Sequence, residues 1–245
     1  MPLEGRELHV VEGCEETSDA RRSDEPVATK LHRIAEKARQ EPAFRFTNLY
    51  YLMNEELLRE CFQGLRENAA AGIDNVTKEE YAENLDSNLA KLLERLHRMA
   101  YIPQPVRRTY IPKPGSNKLR PLGITCIEDK LVEAGLVRIL EAVYEQDFIE
   151  DSYGFRHDRS CHQALRALNL TAEEGMVNYI AEADIKNFFN SMDQNWIMKF
   201  LSQRVGDKLV LRMVKRFLKA GVVENGEKIA SDGVSSGWGD FSNNI

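Results

Sequence analysis

Between residues 77 and 100 the segment TKEEYAENLDSNLAKLLERLHRMA places Tyr81, Leu85, Leu89, Leu92, Leu96 and Met99 every three or four positions, with charges between them. That spacing gathers the apolar side chains on one stripe and predicts a packing helix. Thr77 followed by Glu80 forms a capping box, in which each side chain satisfies a backbone N–H of the first turn. Related patterns predict helices over 29–40, 54–68, 128–146 and 160–173, and two more over 193–204 and 207–220, the last ending at Gly221.

Elsewhere the residues favour strands. In VRRTYIPKPGSNKLRPLGIT two β-prone runs, Val106–Ile111 and Leu119–Thr125, flank the turn cluster Pro114, Gly115, Ser116 and Asn117, which predicts an antiparallel hairpin. Met176–Ile185, MVNYIAEADI, predicts a buried strand ending in an acid. Helices, a hairpin and then a strand give an α+β protein; the regular strand–helix alternation of a doubly wound sheet is absent. The chain has neither internal repeats nor low-complexity segments.

Composition narrows the class. A chain of 245 residues that is 42% hydrophobic and 29% charged has the make-up of a soluble globular protein. It contains no apolar run near the ~20 residues a membrane span needs, so no membrane partner is expected. The start, MPLEGRELHVVEGCEE, lacks an apolar signal core, which makes a cytoplasmic location the default expectation. Cys14, Cys61, Cys126 and Cys161 lie far apart, which argues against a zinc site or a disulfide framework and for free thiols.

The net charge of −6 speaks against nucleic acid until its distribution is considered. Residues 1–30 carry eight acids against four bases, and the first 28, polar and non-periodic, read as a disordered acidic tail. Residues 107–120, RRTYIPKPGSNKLR, carry five bases and no acid.

Three groups of residues could do chemistry. Asp184 ends the apolar run, and a carboxylate at the end of a buried strand must be paired, protonated or metal-bound; it could equally cap a helix begun at Ile185. Lys113 and Arg120 face each other across the predicted turn and could converge on one anion, or belong to a solvated basic ribbon. A phosphate clamp beside a carboxylate metal ligand is what nucleotidyl transfer needs, with the acid holding Mg²⁺ and the bases neutralising a triphosphate. In SYGFRHDRSCHQAL, Tyr153, Phe155, Arg156 and Arg159 interleave rings with cations, a pattern suited to stacking and phosphate contact along a nucleic acid. His157 and His162 have no acid or Cys at ligand spacing and read as surface residues.

Taken in order, AGIDNVTKEEY (71–81), PVRRTYIPKPGSNKLRPLGI (105–124), EDKLVEAGL (128–136), YEQDFIEDSYGFRHDRSCHQAL (144–165), EADIKNFFNSMD (182–193) and LKAGVVENGE (218–227) resemble the reverse transcriptase/maturase proteins of group II introns. Other lineages, such as retrons and diversity-generating elements, fit the EDK and SYGFR segments less well. The resemblance implies right-hand polymerase fingers with an N-terminal extension over 29–175 and the first part of the palm over 176–230. It implies that Asp184 ligates two catalytic Mg²⁺ ions with help from the Ile185 carbonyl, and that Phe188 excludes a ribose 2′-OH. Lys113 and Arg120 would hold the triphosphate of a deoxynucleoside triphosphate, and Tyr153, Phe155 and Arg156 would line the template and nucleotide pocket. The loop at Gly72, with Arg107, Arg108 and Arg159, would contact nucleic acid. Implied partners are group II intron RNA, an RNA template with its DNA primer, and deoxynucleoside triphosphates. Asn190 and Gln194 stand where Asp and His are usual in that family.

After the AGV-x-x-G segment the resemblance breaks. The family continues with Gly-x-Pro-Gln-Gly-Gly-Val-Ile-Ser-Pro and then a Tyr-x-Asp-Asp hairpin, whereas this chain reads SDGVSSGWGDFSNNI. Codons for Val234–Ile245 can be chosen so that, read one nucleotide later, they give Cys-Pro-Gln-Gly-Gly-Val-Ile-Ser-Pro-Ile-Thr. Residues 231–245 are therefore expected to be a frameshifted tail, leaving the palm incomplete and the chain inactive as a polymerase alone. The expected function is that of an RNA-directed DNA polymerase by descent; the alternatives are an RNA-binding splicing helper (maturase) needing no catalysis and a non-functional product.

Overall fold

A computed structural model describes residues 25–229 apart from 113, 114, 116, 118, 174, 176, 187 and 225, and not the side chains of 189 and 190. The acidic stretch of residues 1–24, Lys113 and the 231–245 tail lie outside the described residues.

The helices are α1 (Val27–Gln40), α2 (Glu55–Gly64), α3 (Lys78–Ala82) and α4 (Leu85–His97), with a 3-10 turn at Tyr50–Leu52 between α1 and α2. Strands β1 (Val106–Pro112) and β2 (Leu119–Ile124) lead into α5 (Ile127–Tyr144). Then come α6 (Cys161–Glu173), α7 (Phe188–Ser191), α8 (Gln194–Arg204), α9 (Lys208–Leu218), β3 (Val222–Glu224) and β4 (Glu227–Ile229). The result is a helix-rich α+β architecture with one small mixed sheet in the order β2-β1-β3-β4.

Local chemistry fixes most helix starts. The Thr77–Glu80 capping box is formed, and Asn54, Asp193 and Asp207 each accept an N–H of the helix they precede. The single helix expected over 77–100 is two, because the chain breaks its turn near Asn84. The first helix was expected from residue 29, and α1 begins two residues earlier, at Val27.

The core forms where α1 and α2 pack on α5 and α2 packs on α4. Leu49, Leu52, Leu57, Leu58, Leu89, Leu92, Leu96, Leu131 and Ile139 are fully buried there. Gly135 of α5 faces Met53 so closely that a Cβ would stand 2.8 Å from the Met53 Sδ. Asp207 ties the C-terminal helices to this core: one carboxylate oxygen caps α9, and the other accepts the N–H groups of Leu49 and Tyr50 at 2.7 and 2.8 Å. Arg204 does similar work, donating to the carbonyls of Ala38, Glu41, Pro42 and Phe44 while pairing with Asp147 at 3.0 Å.

β1 and β2 pair antiparallel, with Ile111 opposite Arg120 and Arg107 opposite Ile124, while Pro114 and Ser116 of the expected turn lie outside the described residues. Its base is anchored by a parallel pairing of Val106 with Val222. The β3–β4 hairpin was not expected; it follows Gly221 and turns at Gly226, both at positive φ where a side chain would be strained.

One expectation is overturned. The described residues of 177–186 form no strand and are all exposed, with Tyr179 93% and Ile185 65% accessible. An apolar run becomes a buried strand only where a neighbouring strand accepts its backbone hydrogen bonds and a second layer covers its side chains. Among the described residues the sheet is β2-β1-β3-β4, and none of its strands pairs with this segment.

Candidate nucleic-acid interface

The sequence-predicted residues fall into two organised groups and one separate segment. The first group surrounds the 70–74 loop. Arg107 leaves β1 and donates from Nη2 to the Ala71 carbonyl at 2.6 Å, while Lys130 on α5 donates from Nζ to the Ala70 carbonyl at 2.9 Å. Gly72 is buried against Cys126: a Cβ there would lie 2.7 Å from the Cys126 N, Cα and Sγ atoms. Gly72 and Arg107 therefore act on the loop's packing, while Asp74 and Asn75 form its exposed tip. Asn75 itself sits at φ 58.

Beneath the loop lie buried carboxyls. Burial pushes the Asp129 carboxyl up to about 6, even though the Tyr101 hydroxyl and the Gln104 N–H donate to it. Glu133, one turn further along α5, is buried with Oε2 unpartnered among the described residues and its carboxyl pushed well above the usual range by the same cause. Burial also lowers the Lys130 ammonium and raises the Cys126 thiol to about 11. Sequence reasoning did not single these residues out; the available signal was a pair of acids, Asp129 and Glu133, four apart and so on one face of α5.

On the hairpin, Arg108 pairs with Glu224 at 3.6 Å, and Tyr110 donates to the same carboxylate. Arg120 is exposed. Lys113 lies outside the described residues, so its convergence with Arg120 is not drawn.

The second group is the 145–160 segment. Arg156, whose side chain is 6% exposed, donates to Glu145 from Nε and Nη2 and to the Ile149 and Ser152 carbonyls from Nη1. Its guanidinium also lies over the Phe148 ring. Arg159 stacks over Tyr153 and donates to the Glu150 carbonyl. Between them Phe155 is 69% exposed at φ 55, and Asp158 shares that left-handed backbone. Non-glycine residues in that conformation persist only where surrounding contacts hold them. His157 is exposed beside Glu141 at 3.7 Å, and His162 is exposed on α6.

The third segment holds Asp184 and Ile185, exposed on irregular backbone just before Phe188 opens α7. Among the described residues no hydrogen bond or ion pair joins Asp184 to the other two groups, and no cluster of three or more His, Cys, Asp or Glu side chains could hold a metal ion. Among the described residues the acids do not group into the two-ion magnesium centre that the resemblance implies. No helix among the described residues is long and apolar enough to cross a membrane.

What this arrangement can do is present the exposed Arg120 of the hairpin and an anchored exposed ring, Phe155, to a polyanion. The group II intron-encoded protein LtrA of Lactococcus lactis subsp. cremoris is 34% identical over 201 residues, covering 82% of this chain and 33% of that protein. Protein YkfC of Escherichia coli K12 is 32% identical over 219 residues, 86% of this chain and 57% of its own length. Nuclear intron maturase 2 of Arabidopsis thaliana is 29% identical over 136 residues, 52% of this chain and 18% of its own. The chain thus spans about a third of the Lactococcus protein it matches. Residues 111–239, just over half of the chain and containing β2, the 145–160 segment and Asp184, match the reverse transcriptase (RNA-dependent DNA polymerase) family. On these matches the chain belongs to the reverse transcriptase family, among its group II intron-encoded reverse transcriptases and maturases.

Proposed function

We propose that this chain is the RNA- and nucleotide-holding part of a group II intron-encoded reverse transcriptase, and that alone it binds RNA without extending a primer. The observation that carries this reading is the 145–160 segment. Arg156 is turned inward and fully engaged, which fixes the backbone so that Phe155 stands out into solvent. An anchored aromatic ring presents a stacking face that any base can use. Arg120 supplies a charge for phosphate on the hairpin, and in this reading Lys113 joins it on an incoming triphosphate. Residues 29–175 would act as fingers and 176–230 as the first part of a palm.

The second half of the proposal rests on the Asp184 segment. In-line phosphoryl transfer with two metal ions needs them ~4 Å apart between several ligands. Among the described residues no three His, Cys, Asp or Glu side chains come together as metal ligands, so the chemistry these side chains support is binding. Fluorescence anisotropy of a labelled single-stranded RNA tests the first half: affinity should fall steeply with salt and drop in Phe155→Ala. Salt-insensitive or absent binding would sink it. Primer extension by the purified chain with Mg²⁺ and deoxynucleoside triphosphates tests the second half, and measurable synthesis overturns it.

The match to a protein named an intron maturase favours a second reading, in which the same surface aids splicing with no polymerisation. Faster splicing of a group II intron RNA by the purified chain would select it.

A further inference from the structure

We propose that the cavity between α1 and the 44–54 segment is a binding site for a nucleoside phosphate, with Arg33 and Lys37 on the phosphate and Tyr51 against the base. The cavity lies in residues 25–54, outside the 111–239 that match the reverse transcriptase family. Among the described residues it shares no lining side chain with the hairpin or the 145–160 segment, so it stands independently of the RNA-binding reading above.

Lys30, Arg33 and Lys37 are three and four positions apart on α1, which places all three on one face of that helix. After α1 the chain returns along the same face with Phe44, Phe46 and Tyr51. Between cations and rings is a volume of about 640 Å³, within the ~300–1,000 Å³ typical of small-ligand sites. Its lining carries three cations against one acid, Glu25. Lys30 is only 9% exposed although it lines the cavity, which brings positive charge to a wall partly shielded from water.

An anion already marks the place for phosphate. The Glu25 carboxylate lines the cavity and accepts a hydrogen bond from Arg33 Nη1. Lys37 pairs with Glu41 at 2.9 Å. Exposed pairs of this kind hold weakly, whereas a phosphate brings more charge and three acceptor oxygens to the same two cations. The rings supply the other half of the ligand. Phe44 and Phe46 meet edge to face, and Lys37 lies 4.1 Å over the Phe44 ring. Tyr51, in the 3-10 turn, is 50% exposed and leaves its ring open to a base. Asn48, exposed at the same cavity, carries both a donor and an acceptor for a base edge. Cations alone would suit any small anion; cations facing an open ring suit one that carries a ring of its own.

Isothermal titration of the purified full chain with ADP, adenosine and ribose 5-phosphate tests this. ADP should bind at least tenfold more tightly than either fragment, and ribose 5-phosphate binding as tightly as ADP overturns the proposal. Arg33→Gln and Tyr51→Ala replace exposed side chains, so melting should hold while ADP affinity falls about tenfold in each; unchanged affinity in either overturns it. Glu25→Gln removes the competing carboxylate and should tighten ADP about threefold, and unchanged or looser binding there overturns the placement of phosphate on Arg33. Arg120→Gln, on the hairpin, should leave ADP affinity as it was; a loss there puts the ligand elsewhere. A short oligoribonucleotide distinguishes the source of the nucleotide. Displacement of ADP by its 5′-phosphorylated form alone assigns the site to a chain end, displacement by neither form assigns it to free nucleotide, and equal displacement by the 5′-hydroxyl form overturns the need for a terminal phosphate. No binding of either ADP or the 5′-phosphorylated chain overturns the site altogether. None of these outcomes depends on whether Phe155 meets RNA.

Discussion

Arg156 donates from Nε and Nη2 to a single carboxylate oxygen of Glu145, at 3.0 and 2.6 Å, and its third nitrogen binds two carbonyls of the loop between them. The acid at the end of α5 thereby sets the path of the next dozen residues. Glu145→Ala should leave the Arg156 guanidinium nearly buried without its counter-charge, at a stability cost of about 2 kcal/mol. Phe155 would lose the backbone that holds it outward, so RNA affinity should fall with it. Urea denaturation and RNA anisotropy on the same preparation check this; a variant of wild-type stability and affinity would mean the ion pair holds nothing.

Gly72→Ala should be destabilising for a reason unrelated to conformation. The new methyl would stand 2.7 Å from backbone atoms of Cys126, which cannot swing aside as a side chain tip could. The loop or the start of α5 has to move, at a cost of about 2 kcal/mol. Thermal melting measures the cost, and Cys126→Ala should not rescue it, because two of the three clashing atoms are main chain.

How much of this was legible in the sequence follows from range. Helix positions were readable because period and caps are local: Asp207 caps α9, two and three residues from the N–H groups it accepts. The hairpin was readable because its turn cluster sits between two β-prone runs. The β3–β4 hairpin escaped because three-residue strands carry no period. The 176–185 run was misread because an apolar segment states only that it prefers burial, and its cover must come from elsewhere. In the candidate site, the types of residue were visible but their directions were not. Arg107, Arg120 and Arg156 look alike in sequence, yet two of them turn inward to carbonyls or carboxylates that only the fold brings near.

Acid should favour the fold over a window set by α5. The folded Asp129 carboxyl is raised to about 6 by burial, above its value in an unfolded chain. The folded protein therefore binds more protons between those values, so this group's contribution is full at pH below about 4 and is lost as pH rises through about 6. Glu133, raised well above its ordinary value by burial, extends the loss to higher pH. Asp129→Asn should flatten the fall in stability between pH 4 and 6 by about 2 kcal/mol. Denaturation midpoints across that range are the measurement, and an identical slope in the variant would place the titration elsewhere.

Asp184→Asn should change neither stability nor RNA affinity measurably. The side chain is exposed on irregular backbone, where substitutions typically fall within about 0.5 kcal/mol. A loss of several-fold in RNA affinity would show that the segment approaches the nucleic acid in the complex.

The two hairpin arginines offer the sharpest contrast. Arg120 is exposed, so Arg120→Gln should lower RNA affinity evenly across sequences and reduce the salt slope by about one phosphate contact, with no change in melting. Arg107 has its Nη2 on the Ala71 carbonyl and its Nε buried, so Arg107→Gln should lower the melting temperature and weaken RNA binding with little change in the salt slope. An arginine that positions a loop changes what the loop does at every ionic strength; one that meets phosphate acts through the counterions it displaces. Equal salt slopes for the two variants would mean that both arginines face the nucleic acid, and that the inward bond to Ala71 gives way when RNA binds.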